Sequence, residues 1–176
     1  MNLLAMAPMW LLGLLAAALV IAAVEDAVRL RISNLSVAGV LVAGLIAMGL
    51  QGFPLALWQN WVVFAAILAI GTPLFAAGKV GGGDVKLLAA VGLWVDLRTS
   101  VWLIAAVFLA GGVLAIIFLT ARLFRSSQRK GKEKIGSRGI PYGLAIVVGA
   151  AFVFFGQQPA AKAKPERPNP HALNVI

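Results

Sequence analysis

Few residues in this chain can do acid–base or metal chemistry. Its 176 residues hold six carboxylates (Glu25, Asp26, Asp84, Asp96, Glu133 and Glu166), one histidine, His171, and no cysteine. The lack of cysteine excludes a thiol nucleophile, disulfides and any Cys-based zinc module. A zinc site would rest almost wholly on carboxylates, against the usual nitrogen and sulfur ligands of that ion, so no metal and no cofactor is expected. Carboxylate chemistry remains. Two close carboxyl groups cannot both ionise easily, so they share a proton and titrate as a unit. One is then free to take a proton from water while the other, protonated, polarises a carbonyl. Such chemistry requires the fold to bring two of the six acids together.

The elements that would do so are membrane helices. With 61% hydrophobic and 12% charged residues and a mean hydropathy of +0.96, the chain has too little polar surface for a soluble globule. Apolar segments at 3–24, 35–50, 58–77, 85–97, 101–121 and 140–156 predict an all-α polytopic protein of about six spans, in one domain over residues 1–156. The first run would reach roughly 33 Å at 1.5 Å per residue, enough for the hydrocarbon core. Nothing basic precedes it, and Glu25-Asp26 follows it where a cleavage site would have small residues, so it is expected to be retained. The fourth segment, 85–97, is short enough to be re-entrant. Charge asymmetry argues that it crosses, with its start in a water-filled indentation lined by its neighbours. The tail at 157–176 is rich in Pro, Ala and charge and reads as disordered. His171 lies there and is given no role.

A net charge of +9 and a pI near 11.0 raise the question of nucleic acid. The bases, however, lie in short loops between apolar runs without interleaved aromatics, so no nucleic-acid partner is expected, and membrane topology explains them. An outside N-terminus puts Arg29, Arg31, Lys79, Lys86 and the basic residues of 122–138 in the cytoplasm. It leaves Arg98, Lys162, Lys164 and Arg167 outside.

Asp26 follows the first span and Asp84 the third, so span parity brings both to one face in either orientation. Each has a bland reading: Asp26 pairing with Arg29 or Arg31, Asp84 capping the helix it opens. Gly81-Gly82-Gly83 weakens these, because three residues without Cβ let backbone or substrate approach closely. A flexible linker does not explain why the run ends in Asp84 and then Val85-Lys86-Leu87-Leu88. Lys86 could tune the acid pair or hold an acidic substrate residue; a snorkelling topology lysine is an equally good account.

In several separate places these residues resemble the prepilin peptidases, membrane aspartic peptidases with a Gly-x-Gly-Asp motif. GGGDVKLLAAVGLW, from Gly81 to Trp94, looks like the family's second-aspartate segment. Asp26 followed by Ile32-Ser33-Asn34 looks like the first, in which the family has Ile-Pro-Asn, and that register selects Asp26 over Glu25. Ile140-Pro141-Tyr142-Gly143 looks like the Pro-Tyr-Gly element. Ser33 departs from the pattern, and Ser33 or Asn34 could replace the proline as an N-cap.

The resemblance implies catalysis by Asp26 and Asp84, with Gly81, Gly82, Gly83, Lys86, Asn34, Pro141, Tyr142 and Gly143 binding substrate or shaping the site. It implies a prepilin substrate, with a basic leader and an apolar helix, cut at the cytoplasmic face of the bacterial inner membrane; self-association is left open. Larger members also methylate the product and carry a cysteine-rich insertion. This chain has neither the cysteines nor the insertion, which is similar to the minimal, peptidase-only branch associated with Flp-type tight-adherence pili, without S-adenosylmethionine. A presenilin-like protease would need a Tyr-Asp partner and a Pro-Ala-Leu element that are not found here. A small transporter or pilus-assembly scaffold is the rival from another class, disfavoured by the boundary position of the acids and the lack of an internal repeat.

Overall fold

The computed structural model describes residues 2–52, 54–128 and 142–156, all of whose regular elements are helical. The first apolar run forms two helices instead of the expected one: α1, Leu3–Met6, and α2, Met9–Arg29. Pro8 is the reason. It cannot donate a helical hydrogen bond, and it holds Ala7 in the extended conformation (φ −69°, ψ 144°). The frame of the long helix therefore moves toward the C-terminus, and Asp26 sits in its last turns, not beyond them.

The chain continues as α3, Asn34–Leu50, then a 3₁₀ turn at Leu55–Leu57 leading into α4, Trp58–Ala76. After these come α5, Gly82–Gly92, α6, Leu97–Gln128, and α7, Tyr142–Gly156. Successive helices alternate in direction. The short α5 is central and packs against α3, α4 and α7, while α2 packs against α3 and α7, and α6 against α7. Leu87, Ala89, Ala90 and Val91 of α5, with Leu93, Trp94 and Val95 just beyond it, have no exposed surface. A helix enclosed on three sides need not reach across a bilayer by itself, which lets α5 be about 16 Å long.

Met9–Arg29, Leu55–Ala76 and Leu97–Ala121 are long and apolar enough to cross a membrane. The apolar α3 and α7 are shorter, and α5 is shorter still, so three helices meet in length the expectation of about six spans. The two ends of the bundle differ in chemistry. Trp10, Trp58, Trp61 and Trp102 form an exposed girdle at one end, as at a membrane–water interface. At the same end, buried Trp94 donates its indole N–H to the Val40 carbonyl at 3.2 Å. The opposite end carries Asp26, Asp84, Arg29, Arg31, Lys79 and Lys86. The tail 157–176 lies outside the described residues, as do the side chains of the basic loop 122–138.

Candidate active site

α2 ends abruptly. Its C-cap, Leu30, has a left-handed backbone (φ 52°), and its N–H donates to the Asp26 carbonyl at 2.9 Å. A side chain there costs about 1–2 kcal/mol, so the turn needs support, which Glu25 and two serines provide. The Glu25 Oε2 accepts the Ser33 N–H at 3.0 Å and the Ser36 hydroxyl at 2.7 Å. The Ser33 Oγ in turn accepts the Ser36 N–H at 3.2 Å, so Ser33 is the N-cap of α3 and Asn34 its first residue. Ser33 thus does by side-chain capping what a proline would do by ring constraint. Glu25, passed over in the sequence in favour of its neighbour, is the strut of this turn. Its signal was an acid shortly before a Ser-x-x-Ser.

This turn delivers Ile32 between α5, which carries Asp84, and the start of α7, next to Asp26. A Cβ added at Gly83 would lie 3.1 Å from the Ile32 Cβ, and one at Gly143 would lie 2.7 Å from its Cδ1. Both glycines therefore serve close packing around one side chain.

Asp26 is buried, with 5% of its surface exposed. Its Oδ2 accepts the N–H groups of Gly143 at 2.7 Å and Leu144 at 3.3 Å, donors otherwise unpaired at the start of α7. The contact requires Gly143, since a Cβ there would stand 2.8 Å from that oxygen. The bland expectation for Asp26 is not met, because Arg29 and Arg31 make no ion pair with it among the described residues.

Asp84 is half-buried in the first turn of α5. The Gly81 backbone hydrogen-bonds its carboxylate, the return half of a capping box, so the capping reading of Asp84 is partly right. A Cβ at Gly81 would lie 2.6 Å from the Asp84 Oδ2, and one at Gly82 would lie 3.0 Å from the Phe75 ring. Asp26 and Asp84 are close enough for one to sense the charge of the other.

Of the remaining predicted site residues, Lys86 and Asn34 meet each other, the ammonium donating to the Asn34 Oδ1 at 3.2 Å. Tyr142 is partly exposed at the start of α7, and Pro141 lies outside the described residues. Asp96 is at the other end of the bundle, where it accepts the Thr99 N–H at 2.8 Å, and has no part here.

Asp84 also borders a cavity of about 530 Å³. α4 and α5 form one wall, with Ile67, Leu74 and Leu88, and α6 and α7 the other, with Ile104, Phe108 and Ala145. The arrangement offers two carboxylates, one fixed and one at an apolar opening, and among the described residues no group of three His, Cys, Asp or Glu that could hold a metal.

A family model, that of the type IV leader peptidase family, matches residues 13–118. That stretch includes Asp26 and Asp84 and stops short of Tyr142 and Gly143. No curated protein matches the chain, and no solved structure does.

Proposed function

This chain belongs to the type IV leader peptidase family, and from that premise we propose that it is an aspartic endopeptidase of the membrane that removes the leader of prepilins or prepilin-like proteins. Asp26 and Asp84 would activate the water. One carboxylate takes a proton from it as it attacks the scissile carbonyl; the other, carrying the shared proton, hydrogen-bonds the carbonyl oxygen and then protonates the leaving amine. The observation that supports this reading is that Asp26 and Asp84, 58 positions apart in the chain, lie at one end of the bundle around Ile32, which packs beside both Gly83 and Gly143, with the charge of Asp26 acting on Asp84. Among the described residues, neither is consumed by an ion pair that would account for its presence.

The active end faces the cytoplasm in this proposal, with the N-terminus outside. The asymmetry between the basic end and the tryptophan girdle supports that orientation. A basic leader would then meet the site from the cytoplasm while its apolar helix stays in the bilayer. The absence of cysteine supports peptidase activity without methylation, in the manner of the minimal Flp-type branch.

The test is cleavage of a co-expressed candidate prepilin by the wild type and by Asp84→Asn. Product with the wild type alone is expected; equal product from both would end the aspartyl reading. For orientation, cysteines replacing Leu55 and Lys79, both exposed and at opposite ends, should label from opposite sides of the membrane.

A further inference from the structure

The cavity that Asp84 borders reaches the protein surface beside exposed Ile70, Phe108 and Gly112. Two tightly packed helix pairs make its walls. In α4 against α5, Gly71 leaves no room for a Cβ beside Val85, and at Gly92 a Cβ would come within 2.6 Å of the Ile67 Cδ1. In α6 against α7, a Cβ at Gly149 would meet the Val107 backbone at 2.7 Å. α5 packs on α7 along the base, while α4 touches α6 more lightly, and the groove lies between α4 and α6. Along α6 it runs from Ile104 to Ala115, about 16 Å of helix at 1.5 Å per residue, or roughly half of a 30 Å hydrocarbon core. Its lining is apolar except for Asp84 and Tyr142, both at the active end.

The middle of the α6 wall is Gly111-Gly112. A Cβ at Gly111 would touch only Ala145 and Tyr142, at 3.6 and 4.0 Å, and one at Gly112 would meet nothing within 4 Å. Unlike Gly71, Gly92 and Gly149, these glycines are not demanded by packing inside the molecule. Gly111 is buried beside Ala145, but Gly112 is exposed and leaves a shallow site in the wall, where the backbone of a further helix can approach closely.

We infer that this groove, floored by Gly111 and Gly112 and ending at Asp84, is where the apolar helix of the substrate docks while the adjoining peptide lies across the carboxylates. The inference rests on the peptidase reading and adds the place where the membrane half of the substrate is held. Lipid would cover any apolar face, but the groove is concave and leads to a reactive carboxylate. At about 530 Å³ it falls within the range of ligand pockets, roughly 300–1,000 Å³, large enough for the side chains on one face of a helix and too small for a whole one. Phe108, Gly111 and Gly112 would then select for the residues on that face of the substrate.

Two variants of equal bulk test this. Gly112→Trp fills the groove. Gly13→Trp adds the same ring on the exposed face of α2, where a Cβ also meets nothing. With a co-expressed prepilin carrying a basic leader and one apolar helix, Gly112→Trp should lower cleavage tenfold or more and Gly13→Trp less than twofold. In a second measurement that does not depend on a folded Trp variant, a photoreactive benzoylphenylalanine replaces Phe108 in the Asp84→Asn protein. It should crosslink to the apolar helix of the probe, whereas the same group replacing exposed Val20 should not. Wild-type cleavage together with an unimpaired Gly112→Trp and no crosslink from position 108, lipid alone occupying the groove, overturns this inference and leaves the peptidase reading standing. A wild type that cuts no such probe overturns both.

Discussion

The two aspartates have opposite surroundings. Asp26 is enclosed, and one of its oxygens is occupied by two amides of α7. Asp84 is half-exposed, held by one backbone contact to Gly81, and borders an apolar groove. One carboxylate is built into the contact between α2 and α7 and stabilises it; the other stands at the edge of an apolar cavity. The contrast teaches that residues alike in chemistry can carry unequal structural duties, so that removing each should give the same loss of activity and different losses of stability.

Asp26→Asn and Asp84→Asn are both expected to reduce cleavage by at least about a hundredfold, the usual scale of general acid–base catalysis. The alanine variants separate the two positions. Asp26→Ala leaves two amides unpaired at the start of α7, at about 1–3 kcal/mol for each buried donor, and should melt earlier in detergent. Asp84→Ala should melt close to the wild type. Equal melting would remove the distinction between a fixed and an accessible acid.

The glycines sharpen the comparison at a smaller scale. Gly143→Ala drives a methyl against both Asp26 and Ile32, an overpacking typically worth about 1–3 kcal/mol, and should cost tenfold or more in kcat/KM. Gly81→Ala crowds only the carboxylate of Asp84, which has open space to turn into, and should cost less. The reverse order would show Asp84 to be the more rigid of the two.

Smaller still are the effects at Glu25. A carboxamide can accept the Ser33 and Ser36 hydrogen bonds, so Glu25→Gln should stay within about twofold of wild-type cleavage. Glu25→Ala loses the strut and about 1–2 kcal/mol, the scale of a lost cap. If Glu25→Gln were inactive and Asp26→Asn active, the two neighbouring acids would have been assigned the wrong way round. Lys86→Met, at an exposed hydrogen bond, should change kcat/KM by no more than about threefold. The chelator EDTA should have no effect, since the chain has one histidine and no cysteine; restoration of a lost activity by zinc would recast the aspartates as metal ligands.

Composition and spacing made the helical membrane architecture legible, together with the apposition of Asp26 and Asp84. Both follow from local patterns, apolar runs and the parity of spans. The break at Pro8 was also visible in the sequence, but runs are judged by hydropathy, to which one proline contributes little. The grip of Gly143 on Asp26 was not legible as a hydrogen bond. It joins residues 117 apart, and no periodicity records which helix start will meet which helix end. Glu25 was hidden by its neighbour, and its role depends on the left-handed turn at Leu30, a conformation that leucine does not advertise. Likewise, nothing local distinguishes Gly112, beside open space, from Gly92, packed on Ile67.

One further consequence lies in the unequal lengths of α6 and α7. Gly111 is beside Tyr142, the first residue of α7, yet α6 runs on to Gln128, about 25 Å further, and keeps its apolar character as far as Ala121. A flat bilayer cannot match both helices. It must stand high against α6 and pinch inward around α5 and α7, at a fraction of a kcal/mol for each ångström of mismatch. The protein should therefore dimple the leaflet at its own active end, bringing water down to the carboxylates, and lipids with shorter acyl chains should ease that deformation.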